Sequence, residues 1–223
     1  MNRMHLLVAV LAWLAGCGQT SQDYFPLGDN FIREYVIAEQ VNNDKHLLKS
    51  IFIDLKPRTI AGTAYYPRRY AHGEVYYFRE STEGIIVSRE PGQRGNIILG
   101  YPLEVGTSWQ TESAIEILQR RHESFSGGES FISADHKIML DLHIASMDDM
   151  VEVPAGQFSH CMRIEGTGSV TVKARTRGID HIFIEQKEWY AQGVGLVKRI
   201  RTEKSIPEKY KGELIQELIK WDP

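Results

Sequence analysis

Apolar and polar residues alternate along this chain in short runs broken by turn residues. Between residues 137 and 145, Ile138, Leu140, Leu142 and Ile144 share one face while Lys137, Asp141 and His143 share the other. Ile182 and Ile184 oppose Phe183 and Glu185, and Val170 and Val172 oppose Lys173 and Arg175. A period of two places one face on a core and leaves the other wet, as in half-buried strands. Segments that are alternating, β-branched or aromatic run from Phe31 to Glu39, Leu47 to Leu55, Val75 to Arg79, Gly84 to Arg89, Asn96 to Gly100 and Ser108 to Leu118. Others run from Lys137 to Ala145, Phe158 to Glu165, Ser169 to Arg175, His181 to Tyr190 and Leu196 to Thr202. Glu90-Pro91-Gly92, Ser126-Gly127-Gly128 and Arg177-Gly178-Ile179-Asp180 supply turns between them. No long amphipathic helix separates the strands, so βαβ units are excluded. The pattern predicts an all-β protein, an antiparallel curved sheet or open barrel. Gly212 to Trp221 is ambiguous: Leu214, Ile215, Leu218 and Ile219 fit a short C-terminal helix at least as well as a strand, and periodicity alone gives helix.

The N-terminus carries a different pattern. Arg3 and His5 precede the apolar run Leu6 to Leu14, then come Ala15, Gly16 and Cys17. A basic start, a short apolar stretch and small residues before a cut site read as an export signal. The run is about half the roughly 20 residues a spanning helix needs, so no transmembrane helix is expected. Leu14-Ala15-Gly16-Cys17 resembles the lipobox of bacterial lipoproteins, in which the cysteine is acylated on sulfur and, after cleavage, on its new amino group. The resemblance implies a signal peptide over 1–16, a lipidated tether over 17–23 and a single β-rich domain over 24–223. Several acyl chains would anchor the protein on a membrane without crossing it. Gly18 is not the aspartate that in enteric bacteria retains lipoproteins at the inner membrane, which favours the periplasmic face of the outer membrane.

Charge and cysteine use narrow the partners. The 223 residues carry 26 Lys and Arg against 29 Asp and Glu, and removing residues 1–16 takes away Arg3 alone. No basic face is available for nucleic acid. With Cys17 lipidated, Cys161 has no partner for a disulfide and reads as an inert strand residue.

Three stretches together resemble the TapB-like bacterial lipoproteins, a family of unknown function. They are Tyr24-Phe25-Pro26-Leu27, Val151-Glu152-Val153-Pro154-Ala155-Gly156-Gln157-Phe158 with Cys161 three residues on, and Trp189-Tyr190-Ala191-Gln192-Gly193-Val194-Gly195-Leu196-Val197-Lys198. Tyr101 to Trp109 is similar to a further segment of that family. Where the family has Ala-Pro-Gly, this chain has Ala191-Gln192-Gly193. The resemblance implies a largely antiparallel β structure ending in a strand, and no reaction. Pro154, Gly156, Phe158, Trp189, Tyr190, Gly193 and Gly195 read as residues of shape, because Pro fixes φ and Gly permits turns and bulges. Cys161 fits this less simply. If Phe158, Met162 and Ile164 face a core, Cys161 shares the face of Arg163 and Glu165, so either a bulge reverses the register or that face lines a semi-polar concavity.

Catalytic patterns are sparse. Beyond residue 16 the histidines are His46, His72, His122, His136, His143, His160 and His181, without HExxH or HxH spacing, and no GxSxG occurs. Glu104, Glu112, Asp141 and Glu188 are candidate members of a hydrolase carboxylate pair, whose separation is a tertiary fact. The most unusual composition is Tyr65-Tyr66-Pro67-Arg68-Arg69-Tyr70 followed by Tyr76-Tyr77-Phe78-Arg79, with five of the ten tyrosines. Tyr65, Tyr66, Arg68, Arg69, Tyr70, Tyr76 and Tyr77 form either a binding patch for an envelope protein or glycan, or a hairpin packed through its rings. The expectation is a non-catalytic envelope module without cofactor or metal that binds or assembles a partner. A carrier of a lipid or other apolar ligand in the β concavity is the alternative, and an envelope hydrolase the third reading.

Overall fold

The computed structural model of the protein describes residues 23–118, 137–174, 178–206 and 210–223. The signal, the lipobox with Cys17, the turn at Ser126-Gly127-Gly128, His122 and His136 lie outside them. The strands are β1 (Ile32–Val41), β2 (Asp44–Asp54), β3 (Arg58–Ile60), β4 (Thr63–Arg69), β5 (Val75–Ser81), β6 (Gly84–Ser88) and β7 (Asn96–Gly100). They continue as β8 (Ser108–Ala114), β9 (Lys137–Val153), β10 (Gly156–Ala174), β11 (Gly178–Ala191), β12 (Gly195–Ile206) and β13 (Lys211–Asp222). One antiparallel sheet runs β7-β6-β5-β4-β2-β1-β13-β12-β11-β10-β9-β8, with the short β3 paired on β4. It curls until β7 and β8 face each other without pairing, so the barrel is nearly closed. At that seam Asn96 Nδ2 donates to the Glu112 carbonyl at 3.4 Å, and the Trp109 ring lies on Gly100, where a Cβ would stand 2.7 Å from it.

The alternation read from sequence is the inside-outside alternation of this barrel. Ile138, Leu140, Leu142 and Ile144 are buried, while Lys137, Asp141 and His143 are exposed. Two expected strands, Phe158 to Glu165 and Ser169 to Arg175, are one 19-residue strand. Gly166 and Gly168 sit within it because the opposite strand lays Leu142 and Leu140 on them: an added Cβ would come within 2.2 and 2.6 Å of those side chains. The C-terminal stretch is strand β13, not helix, paired with β1 from Gly212 to Asp222 and with β12 from Lys211 to Glu217. Gly212, Leu214, Gln216 and Leu218 point inward at period two, and the ladders on both edges outweigh the helical spacing of its apolar residues. β4 lies outside the runs read as strands; it is expected only on the reading of the tyrosine-rich stretch as a hairpin, and Pro67 falls within it. It nevertheless pairs with β5, Tyr66 opposite Phe78 and Arg68 opposite Tyr76.

Cys161 is reached through a bulge. The β9–β10 register shifts between Phe158 and Cys161 and again around Arg163, and His160 has φ 52°. Cys161 and Met162, neighbours in sequence, are therefore both fully buried. Beyond the bulge, Gly156 at φ 133° completes the β9–β10 turn. That hairpin folds onto β13: Ala155 N donates to the Leu218 carbonyl at 3.0 Å, and Phe158 packs edge-on against Trp221.

Two segments stopper the barrel. At one end Tyr24 is 1% exposed, its hydroxyl donates to the His160 carbonyl, and Phe25 reaches Phe78 and Tyr190 inside. At the other, the buried Ile115, Ile117 and Leu118 cover Gly212.

Candidate functional site

Between the stoppers lies a cavity of about 280 Å³. One wall is aromatic. Tyr35, Phe52, Tyr70 and Tyr76 form a run with ring centroids 4.9, 4.4 and 5.1 Å apart, of which the first three line the cavity beside Phe25, Phe78 and Tyr190. The cavity shares Val87, Glu112 and Ser113 with an open outer groove at the β7–β8 seam, so the seam is where the interior meets the surface.

Charges are set into this wall by strand register. Asp54 stands opposite Arg68 across β2 and β4, and diagonal to Arg33, which pairs with Phe52. Arg33 Nη1 donates to Asp54 Oδ2 at 2.8 Å; Arg68 donates Nε to Oδ1 and Nη2 to Oδ2, the latter at 3.1 Å. Arg33 Nε donates to the Val194 carbonyl at 2.7 Å in the β11–β12 turn, while its Nη2 is buried without a hydrogen-bond partner among the described residues. Arg68 lies over Phe25 and Phe78, 5.0 and 4.7 Å from their centroids. Burial alone would depress the Arg68 guanidinium; the hydrogen bond and charge of Asp54 outweigh it and hold the group above its ordinary value.

A second set lies deeper. Arg199 on β12 donates to Glu116 at 2.6 Å and to Gln186 at 2.9 Å, and Glu188 accepts from Tyr190 at 2.7 Å and from Gln186 at 2.9 Å. Arg199 too is raised, because Glu116 and Glu188 overcome the opposing effect of burial. Arg201 and Glu203 are wholly buried and paired at 2.9 Å. Glu203 accepts the backbone N–H groups of Glu116, Ile117 and Leu118 at 2.8 to 3.1 Å, and Arg201 donates to Ser113, Gln186 and the Ala114 carbonyl. This network holds the end of β8 and the stopper after it to β12.

The structure divides the Tyr/Arg patch between two faces instead of presenting it on one. Tyr65 is buried, edge-on to Tyr77, and its hydroxyl accepts from Gly92 N at 2.9 Å. Tyr66 packs on the core, Arg69 is exposed, and Arg68 and Tyr70 line the cavity. Tyr76 meets Tyr70 edge-on and donates to Glu74 at 2.9 Å. Of the shape residues, Gly156, Gly193 and Gly195 all have positive φ. Pro154 and Gly156 form the β9–β10 turn, Phe158 packs in the smaller core cluster with Cys161, and Trp189 Nε1 donates to Asp149 at 2.9 Å. Gly195 borders Arg33, whose Nε would lie 3.5 Å from an added Cβ, and Tyr190 lines the cavity. Burial lifts the Cys161 thiol to about 11, with the Asp149 charge adding to it. Of the candidate carboxylates, Glu104 and Asp141 are exposed, while Glu112 and Glu188 line the cavity and are engaged, Glu112 by Lys137 at 2.9 Å.

Arg33, Asp54, Arg199, Arg201 and Glu203 escaped the sequence reading. Their one signal was spacing: Arg199, Arg201 and Glu203 share a strand face at every second position.

No protein-family model matches the chain, and no curated protein matches it. Two solved structures do. One, a "putative exported protein with YmcC-like fold" from Bacteroides fragilis NCTC 9343, is 12% identical with TM-score 0.45, covering 90% of this chain and 99% of its own. The other, a "putative lipoprotein" from Parabacteroides distasonis ATCC 8503, is 12% identical with TM-score 0.42, covering 89% and 98%. At these values the reading of this chain rests on its own geometry.

Proposed function

We propose that the protein is a membrane-tethered envelope lipoprotein whose barrel is a non-catalytic binding module for a small ligand with an apolar body. The carrying observation is the interior cavity, walled by aromatic rings, stoppered at both ends and meeting the surface at the seam. Barrels with such interiors hold one small ligand. The carboxylates at its wall are each held by a guanidinium, ammonium, hydroxyl or amide, an arrangement suited to holding charge in place and not to moving protons.

The lipobox resemblance at Leu14 to Cys17 supports the anchor, and Gly18 supports the outer membrane. Asp23 accepts from Gly193 N at 2.8 Å, fixing the chain at the β11–β12 turn. Six residues from Cys17 reach at most about 20 Å, so this end of the barrel would stay close to the bilayer. Cys17→Ser expressed in a bacterial host should abolish palmitate labelling and membrane retention; a labelled, membrane-bound variant refutes the anchor.

The cavity is tested with the neutral fluorophore N-phenyl-1-naphthylamine. The purified domain should bind it saturably at one site, and Ile98→Trp, filling the cavity from β7, should remove that binding. No saturable binding by the wild type overturns the reading.

A partner protein is a second reading, favoured by β2. Among the described residues β2 pairs with β4 only at Ile53 and Asp54, which leaves an edge carrying the exposed Leu47, Leu48 and Ile51.

A further inference from the structure

Resting on the reading of the barrel as a ligand binder, we infer that its ligand carries an oxyanion, a carboxylate or an equivalent singly charged acid group, that docks on the Arg68 edge beside the Tyr70 hydroxyl. Two guanidiniums, Arg33 and Arg68, share one carboxylate, Asp54, so this triad carries one excess positive charge; the further acid that feels Arg33 is Asp23, whose carboxyl burial raises above its ordinary value. A buried charge without full compensation is costly, and the guanidinium strongly favours planar oxyanions as its partner.

Orientation agrees with charge. The faces of Arg68 are covered by Phe25 and Phe78, and its Nε and Nη2 are committed to Asp54, so among the described residues Nη1 is its one uncommitted donor. An in-plane N–H is what a carboxylate oxygen needs. Tyr70, half-buried, makes no hydrogen bond through its hydroxyl among the described residues and borders the same cavity. Arg33 Nη2, buried and unpartnered, adds to the positive potential behind them. The carboxylates on the cavity wall do not cancel it: Glu188 is held by Tyr190, Gln186 and the nearby Arg199, and Glu112 by Lys137. The rings of Phe52, Phe78 and Tyr190 leave room for a small apolar body, since about 280 Å³ is near the lower bound of small-molecule pockets.

The test compares 1-anilinonaphthalene-8-sulfonate with N-phenyl-1-naphthylamine, which share one aromatic body and differ by the sulfonate. The wild type should bind the sulfonate at least about tenfold more tightly, as one charge-assisted hydrogen bond implies. Arg68→Met, which leaves the Arg33–Asp54 pair in place, should bring the ratio near one while the neutral probe still binds. Tyr70→Phe should lower the ratio without abolishing it, and serves if Arg68→Met does not fold. Benzoate should displace the sulfonate probe from the wild type at lower concentration than from Arg68→Met, and equal displacement from both counts against the oxyanion. Neutral binding with no preference for the sulfonate, or a ratio unchanged in both variants, overturns the oxyanion alone. Failure of both probes to bind overturns the ligand-binding reading itself.

Discussion

Two ionic networks are buried in this barrel, and they are built to opposite ends. Around Arg201, Glu203 pairs at 2.9 Å and accepts three backbone N–H groups as well, and a second carboxylate, Glu116, stands 3.4 Å away. Around Asp54, two cations meet one anion, and Arg33 keeps an unpartnered nitrogen. A fully satisfied network locks segments that would otherwise carry unpaired backbone groups, here the stopper at Glu116 to Leu118. An under-satisfied one retains capacity for a further partner. The first network lies on the far side of the barrel from the chain's start, and the second beside the stopper Tyr24 to Leu27, against the cavity. The contrast separates what holds this fold from what equips it to bind.

The contrast can be broken most severely at Glu203. Glu203→Gln removes the nearer carboxylate of the buried Arg201, leaving the more distant Glu116 at 3.4 Å, and should cost about 3–5 kcal/mol, seen as a lower denaturant midpoint with unchanged slope. A cost below that of Arg68→Met would mean that the satisfied network is not the lock.

Arg68→Met should cost less, about 1–3 kcal/mol, because Asp54 keeps Arg33 and the methionine fills apolar space between Phe25 and Phe78. Its main effect belongs to the sulfonate ratio and not to the unfolding curve.

Cys161 reports both. With its thiol lifted to about 11 against an ordinary 9.0, iodoacetamide at pH 8 should alkylate the folded protein about 100-fold more slowly than the unfolded chain. The rate should rise in Glu203→Gln and rise less in Arg68→Met. Rapid alkylation of the wild type would place the bulge at Phe158 to Arg163 wrongly.

The smallest effect belongs to a half-exposed third network, where Asp149 accepts from Trp189 and pairs with Arg163 at 3.2 Å. Burial alone would raise the Asp149 carboxyl; Ser146, Trp189 and Arg163 outweigh it and hold it below the usual carboxylate value. A lowered folded value means stability that is present above the unfolded pKa near 3.8 and lost as pH falls through the folded value. Asp149→Asn should therefore narrow the stability gap between pH 6 and pH 3, by well under 1 kcal/mol given solvent screening. An unchanged acid limb would remove Asp149 from the set of stabilising groups.

Particular residues mark how much of this was legible. The alternation in 137–145 and 182–185 predicted strands with the correct inward faces, because a two-residue period survives whatever partner the strand finds. The bulge at Cys161 was one of two stated alternatives, legible because Cys161 fell on the same face as Arg163 and Glu165. The C-terminal strand was not decidable, since Leu214, Ile215, Leu218 and Ile219 satisfy both periods and only the gap between β1 and β12 selects one. The tyrosine-rich stretch stood out by composition as either a binding patch or a hairpin packed through its rings, and only the fold sorted its side chains: Arg68 and Tyr70 line the cavity, and Tyr65 is buried edge-on to Tyr77.

By itself, then, the sequence determined the class of structure, the inward apolar residues and the glycine and proline turns, because these depend on local period and on φ. It also carries the lipobox pattern. Tertiary structure alone decided the site. Arg199, Arg201 and Glu203 alternate with Ile200 and Thr202, and such a polar face ordinarily meets water. Here the sheet curls until that face lies inside, β13 joins the last strands to β1, and Asp54 comes between two arginines distant from it in sequence. Closure of the sheet, which no local period encodes, turned a wet face into a charged interior.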